Sequence, residues 1–397
     1  MVSLDYCFTA DFETTTDVND CRVWAYSICN IGDYKEFYYG NSIDDFFDFI
    51  MEHPKNLKFW FHNLKFDGQF ILNYLFSHGF TWIEDKKDKA NNTFTTLITD
   101  TGQYYSIVVY FKVKGHKTHK VEFFDSLKIF PNFSVERLAD SFGLPIRKLK
   151  IDYKAKRPAG HELTKEEIDY IRNDVEITAR ALNVMFLSGQ TRITIASDAL
   201  HDFKERTNGF RKKFPILKNE VDASVRKSYR GGFTYVNDTW KGKEVGEGKV
   251  LDVNSLYPST LINCLMPYGE AVYFEGKYQE DKTHPLYVQN LLCEFELKQG
   301  KIPSLQLKNN MSFQANEYVK SSKGKVIELT LTSVDLKLFF MQYDVNVIEW
   351  TGGYKFKGAK GMFDDYVNYW TEEKIKAGKE GNLGRRQLAK LMLNSLY

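Results

Sequence analysis

Apolar residues over positions 4–10 run without helical spacing and stop at Asp11-Phe12-Glu13, so the pattern predicts a strand with carboxylates at its end. Residues 22–28 and 34–39 are rich in β-formers and predict two more strands. Over residues 42–51, Phe46, Phe47 and Ile50 recur at helical spacing and predict an amphipathic helix. Residues 57–61 form another apolar strand-like run leading into His62-Asn63. After it, Phe70, Ile71, Tyr74 and Leu75 share one face of a helix over 67–76. Residues 104–113 and 120–124 read as a hairpin around the basic turn 114–120. Thr164 followed by Glu167 is a capping box that opens a helix through Tyr170, Asp174, Ile177 and Leu182, with Gly189 ending it. Strands alternating with helices predict an α/β first domain.

From about residue 196 the pattern changes. Basic residues dominate positions 201–230 and lead into Tyr229-Arg230-Gly231-Gly232. Residues 249–253 predict a strand that runs into Asp252-Val-Asn-Ser-Leu-Tyr-Pro-Ser259. Short strand signals and turns fill 264–361, the mark of an inserted β-rich subdomain. Residues 372–396 predict two helices around a tip at Gly381-Asn-Leu-Gly384.

A chain of 397 residues exceeds what one hydrophobic core supports, so at least two domains are expected. Lys plus Arg (54) nearly balance Asp plus Glu (52), so any anion-binding surface must be local. The 43% apolar content supplies a normal core and excludes wholesale disorder. Five scattered cysteines without a CxxC pair argue against a disulfide framework and a zinc ribbon. No run of about eighteen apolar residues and no signal-like amino terminus appears, so a soluble, intracellular protein is expected. The 15% aromatic residues are expected mostly in the core, with some free to stack on bases.

Asp11 and Glu13 lie two apart and share one strand face. Asp67 begins a helix, and Asp174 follows Tyr170 by one helical turn. Four carboxylates brought to one sheet edge repel unless cations neutralise them, and Mg2+ or Mn2+ prefers oxygen ligands. Two such ions about 4 Å apart can activate water and stabilise the leaving oxygen of a phosphoryl displacement. Tyr170 reads either as the group that orients the water or as a core tyrosine, and Asn63 either as a ligand or as a helix cap. Lys148 reads as support for a scissile phosphate or as one lysine of a basic run.

DFETTTD, FHNLKFDGQFI and YIRNDVE resemble the three exonuclease motifs of the family B DNA polymerases, specifically their phi29-like, protein-primed phage branch. The resemblance implies that Asp11, Glu13, Asp67 and Asp174 bind two Mg2+ or Mn2+ ions, with Tyr170 and the lysine Lys148 of KLKI assisting catalysis. It implies that Thr14, His62, Asn63, Phe66, Ser126 and Leu127 hold a single-stranded 3′ end. SYRGGF resembles the linker that binds template, assigning Tyr229, Arg230, Gly231 and Gly232 to DNA. LDVNSLYPS resembles polymerase motif A, with Asp252 and the Val253 carbonyl as metal ligands and Tyr257 beneath the sugar of an incoming nucleotide. RRQLAKLMLNSLY resembles motif B, so Arg386, Lys390 and Asn394, spaced by four, would face the triphosphate, together with Lys374 or Lys376.

The fold implied is an RNase H-like α/β exonuclease domain over 1–194 and an incomplete α+β palm over 195–263 carrying the linker and motif A. A β-rich insertion follows over 264–361, then finger helices over 362–397 carrying motif B. The partners implied are single-stranded and primer-template DNA, dNTPs and a terminal-protein primer, in the cytoplasm of a host cell and without a membrane. Motif B would be interrupted at Tyr397, and the second metal-binding aspartate of the polymerase site would be absent. The expectation is an amino-terminal polymerase portion, from a split, interrupted or truncated gene, with an intact 3′–5′ exonuclease and an incomplete polymerase centre that adds nucleotides only when a separate carboxy-terminal fragment is supplied. The alternatives are a stand-alone exonuclease and a non-catalytic remnant that binds DNA or terminal protein.

Overall fold

The computed structural model describes residues 4–17, 19–53, 55–114, 117–306 and 318–396. They form two units, residues 1–203 with 368–397, and residues 204–367.

The first unit is built on strands β1 (Cys7–Thr14), β2 (Val23–Asn30) and β3 (Phe37–Gly40), helix α1 (Ile43–Glu52), strand β4 (Leu57–Phe61) and helix α2 (Leu64–Ser77). Strands β5 (Thr81–Trp82), β6 (Thr93–Ile98), β7 (Tyr104–Lys114) and β8 (Lys117–Asp125) follow, then helices α3 (Val135–Ser141), α4 (Lys165–Leu187) and α5 (Ile195–Arg206). The strands make one mixed sheet in the order β3-β2-β1-β4-β8-β7-β6-β5, with β1, β4 and β8 parallel. The predicted hairpin is β7–β8. Gly115 and His116 of its turn lie outside the described residues.

Alternation along β1 decides what reaches the site. Phe8, Ala10 and Phe12 enter an aromatic core with Phe46 and Phe47 of α1 and Ile71 and Leu75 of α2. Thr9, Asp11 and Glu13 point the other way, where the Thr9 hydroxyl donates to the Val175 carbonyl of α4 at 2.8 Å. A one-residue slip would drive both carboxylates into the phenylalanine cluster, so packing enforces the register. The capping box of α4 is complete, with Thr164 and Glu167 each accepting from the other's backbone N–H. Thr164→Ala is expected to cost about 1 kcal/mol, read as a shift in the urea midpoint at constant m-value. The helix ends at Leu187, and Gly189 takes the left-handed conformation (φ 87°) expected after a helix terminus.

The second unit holds helices α6 (Phe210–Lys213), α7 (Asn219–Arg226) and α8 (Leu256–Asn263), strands β9 (Met266–Phe274), β10 (Leu286–Leu297) and β11 (Ile327–Thr332), helix α9 (Ser333–Gln342) and strand β12 (Tyr343–Ala359). Its antiparallel sheet runs β11-β10-β12-β9 over a core of Leu291, Phe295, Leu329, Phe339 and Tyr343. This matches the β-rich pattern over 264–361. The strand predicted over 249–253 does not form. No described strand pairs with it, and Val250 and Leu251 stand 100% and 89% exposed, because a short run of β-formers without a hydrogen-bonded neighbour does not make a strand.

Helices α10 (Asp364–Lys379) and α11 (Leu383–Leu393) are the predicted pair, separated at Gly381 (φ 69°). No helix among the described residues is long and apolar enough to cross a membrane.

Candidate metal and nucleic-acid site

The end of β1 and the middle of α4 bring Asp11, Glu13 and Asp174 together, with one carboxylate oxygen of each within 4.8 Å of the others. Asp67, in the first turn of α2, is adjacent. One of its oxygens accepts the Phe12 backbone N–H at 3.1 Å, and its charge acts on Asp11. Burial and mutual repulsion raise Asp11 well above the usual carboxylate range. Burial, then the Asp174 charge, lifts Glu13 to about 7. Burial outweighs the Phe12 hydrogen bond and lifts Asp67 to about 8. Asp174 is also raised by burial, against the pull of Lys148.

Lys148 forms an ion pair with Asp174, and its ammonium lies 5.4 Å from the centre of the Tyr170 ring. Burial disfavours this ammonium, but Asp174 and Asp11 more than offset that and keep it charged. The other Asp174 oxygen, Oδ1, is buried and has no hydrogen-bond partner. Tyr170 is only 2% exposed, and its hydroxyl lies within reach of the Glu13 and Asp174 charges. Burial and those two charges push the phenol far above its ordinary range, so it stays protonated.

Around this centre lie the residues expected to hold a DNA end. Asn63 takes a left-handed conformation (φ 82°, ψ 56°), and its side chain makes no cap hydrogen bond, so the helix-cap reading does not hold. The turn is held by Asp125, which sequence reasoning missed. Its Oδ1 accepts the backbone N–H groups of Asn63 (3.2 Å), Leu64 (3.3 Å) and Leu127 (3.1 Å). The available signal was an acid at a strand end, directly before the two residues of FDSLK chosen as ligands.

His62 bonds through Nδ1 to the Ser126 hydroxyl and through Nε2 to the Phe133 carbonyl, both at 2.8 Å. A carbonyl only accepts, so Nε2 carries the proton and Ser126 donates to Nδ1. Burial lowers the His62 pKa, which favours that neutral form. Leu127 is half-buried, Thr14 ends β1, and Phe66 is 46% exposed on the first turn of α2. Tyr153 was also missed. Its hydroxyl is 2.9 Å from that of Tyr170, and it lies in a loop with no periodic pattern to mark it.

In the second unit, Asp252 and Val253 are exposed in irregular chain, and Tyr257 lies in the first turn of α8. A Cβ built on Gly232 would lie 3.6 Å from the Tyr257 hydroxyl, so the YRGG segment and this tyrosine are neighbours, whereas around Gly231 the space is open. Tyr229 is 69% exposed. The Arg230 guanidinium donates to the carbonyls of Lys227 (2.7 Å), Tyr229 (3.1 Å) and Thr330 (3.1 Å). In the first unit, Arg386 and Lys390 of α11 and Asn394 at its C-cap are exposed, opposite the buried Leu388 and Met392. Lys376 is exposed and Lys374 half-buried on α10.

The family described as DNA polymerase type B, organellar and viral, matches residues 50–159 and 150–397. The DNA polymerase of Bacillus phage M2 is 47% identical over 392 residues, which cover 98% of this chain and 67% of the phage protein. The chain belongs to the type B DNA polymerases. Identity to the DNA polymerase of Bacillus phage phi29 is also 47% over 392 residues, covering 98% of this chain and 66% of that protein. Among solved structures, phi29 DNA polymerase complexed with primer-template DNA superposes with a TM-score of 0.91 at 45% identity, covering 98% of this chain and 67% of that one. Its complex with single-stranded DNA gives 0.90 at 45% identity, with 98% and 66% covered. The chain thus spans about two thirds of the length of these relatives. The resemblance to the phage branch read from the motifs is borne out, and the fold is the mixed α/β fold of phi29 DNA polymerase.

Proposed function

We propose that this polymerase-family chain carries a divalent-metal-dependent 3′–5′ exonuclease acting on single-stranded DNA, in an RNase H-like domain formed by its first sheet and α4. The observation that carries the reading is the cluster of Asp11, Glu13 and Asp174 with Asp67 beside it. Three features fit hard cations. The donors are all carboxylate oxygens, the buried Asp174 Oδ1 lacks a partner, and the crowded acids hold protons that a cation would displace. Two bound Mg2+ or Mn2+ ions would supply activated water and charge neutralisation for an in-line displacement.

The chain's own groups do the rest. Asp11, Glu13, Asp67 and Asp174 hold the cations. The protonated Tyr170 hydroxyl, fixed by Tyr153, donates to the attacking water or the scissile phosphate. Lys148 exchanges Asp174 for a phosphate oxygen and balances the charge that develops there. Thr14, His62, Asn63, Phe66, Ser126 and Leu127 hold the 3′ end, where the exposed Phe66 ring offers a stacking face.

Membership of the family supports the further reading that Asp252 and Val253 belong to a metal-dependent nucleotidyl-transfer centre, with Tyr257, Lys374, Lys376, Arg386, Lys390 and Asn394 serving a dNTP. Tyr229, Arg230, Gly231 and Gly232 would then track the template, and a terminal protein would prime synthesis in the host cytoplasm. The complexes of phi29 DNA polymerase with single-stranded and primer-template DNA support both parts. The domain division proposed is exonuclease 1–194, palm segment 195–263, β-rich insertion 264–361 and finger helices 362–397.

The test is release of mononucleotides from a 5′-labelled single-stranded oligonucleotide. A ladder that shortens from the 3′ end with Mg2+ and stops with EDTA is expected. Metal-independent cleavage, or cleavage only inside the strand, overturns the reading.

A further inference from the structure

Residues 147–161 contain no helix or strand, yet they carry both Lys148 and Tyr153. One face of α4 holds this strap along its length, and Arg22 and Asn41 add bonds to the Arg157 and His161 carbonyls. The Asn173 side chain donates to the Arg147 carbonyl at 2.8 Å, Asp174 pairs with Lys148, and Tyr170 bonds Tyr153 at 2.9 Å. Glu167 accepts Arg157 Nε on Oε1 at 2.7 Å and faces His161 Nε2 with Oε2 at 2.8 Å. Positions 167, 170, 173 and 174 are three and four apart, the spacing of one helical face.

Glu167 sits furthest from the acids, and its carboxylate is the hub. Arg157 and Glu167 are each only 7% exposed. From Glu167 the Arg157 guanidinium reaches back to the carbonyls of Asp152 (3.0 Å) and Ala155 (3.3 Å), and it lies over the Trp24 ring at 4.1 Å. Those carbonyls bracket Tyr153. A buried carboxylate thus fixes a guanidinium, the guanidinium fixes a turn, and the turn sets the tyrosine against Tyr170. A planar fork with several donors is suited to this, since each bond constrains the others.

We propose that Glu167 is a positioning residue for the exonuclease centre, acting through Arg157 on Tyr153. The proposal rests on the exonuclease reading above. The competing explanation is that Glu167 serves only the capping box of α4, and Thr164→Ala probes that box by itself, because it removes the hydroxyl that accepts the Glu167 N–H and leaves the Glu167 carboxylate on both the Thr164 N–H and Arg157.

The experiment compares wild type, Glu167→Ala, Glu167→Gln and Thr164→Ala in the full chain, by single-turnover release of the 3′ nucleotide and by amide exchange over 147–161. Glu167→Ala should slow the chemical step by about 10- to 100-fold, the effect of a misplacement near 1 Å, with little change in single-stranded DNA affinity measured in Ca2+. Amide exchange across the strap should quicken. Glu167→Gln, which keeps an acceptor for Arg157, should recover part of the rate, and Thr164→Ala should match wild type in rate and strap exchange. In a Tyr153→Phe background, Glu167→Ala should cost less than about twofold more, because the hydroxyl it positions is already gone.

Equal rates for Glu167→Ala and Thr164→Ala, or a full multiplicative loss in the Tyr153→Phe background, overturns the proposal. Unchanged strap exchange in Glu167→Ala overturns it even if nuclease activity is absent throughout. A wild type that releases no nucleotide, with strap exchange quickened in Glu167→Ala alone, instead refutes the exonuclease reading.

Discussion

Replacing Asp11 and Asp67 together by alanine is expected to abolish 3′ nucleotide release while leaving the fold in place. Metal-held charge stabilisation is worth several kcal/mol in phosphoryl displacement; a loss of about 4 kcal/mol is roughly a thousandfold in rate. Two structural terms oppose each other. Removing Asp67 orphans the buried Phe12 N–H, which costs about 1–3 kcal/mol. Removing two crowded carboxylates relieves the burial and repulsion that raise Asp11 and Asp67 themselves. The thermal midpoint of the metal-free variant should therefore stay close to wild type. Calorimetric titration should show that it has lost Mg2+ binding at this site. Nuclease activity within tenfold of wild type in the purified double variant would remove the cluster from the mechanism.

The alternation that places Asp11 and Glu13 opposite Phe8, Ala10 and Phe12 is visible in the sequence, because period two is imposed by the strand itself. The capping box at Thr164 and the break at Gly381 were legible for the same reason, as local chemistry with local consequences. Residues whose role depends on distant neighbours were not. Asp125 sits beside Asn63 only because β4 and β8 pair in parallel with Phe61 opposite Asp125, a register that no pattern within either segment specifies. Tyr153 meets Tyr170 because an irregular strap is tied down by side chains, and such ties carry no periodicity. Residues 249–253 fail in the opposite sense. They have the local composition of a strand, and no described strand accepts their hydrogen bonds.

Stability of the metal-free protein is expected to fall as pH rises from about 5 to about 9, and saturating Mg2+ should remove the part of that fall that comes from the acid cluster. In unfolded chain Asp and Glu titrate near 4. In the fold, burial carries Glu13 to about 7 and Asp67 to about 8, and burial with repulsion carries Asp11 well up. Between those limits the native state holds more protons than the unfolded one, so the derivative of unfolding free energy with pH is negative. The stabilising contribution is complete below about pH 4 and is lost as pH passes through 7 to 8.

Asp198, raised to about 6 by burial, adds to the slope at its lower end, while His62, lowered by burial, opposes it there. Glu167, held at about 2 by the Thr164 N–H, His161 and Arg157 against its burial, is fully ionised throughout and contributes none. Only the acid cluster is sensitive to the cation, because the ion takes the place of the protons. The rise in thermal midpoint on adding Mg2+ should therefore be larger at pH 8.5 than at pH 6, and titrations in buffers of different ionisation enthalpy should show protons released on binding. The same rise at both pH values, with no proton release, would mean that the carboxylates are already ionised and apart, and that the crowding seen here does not form the cation site.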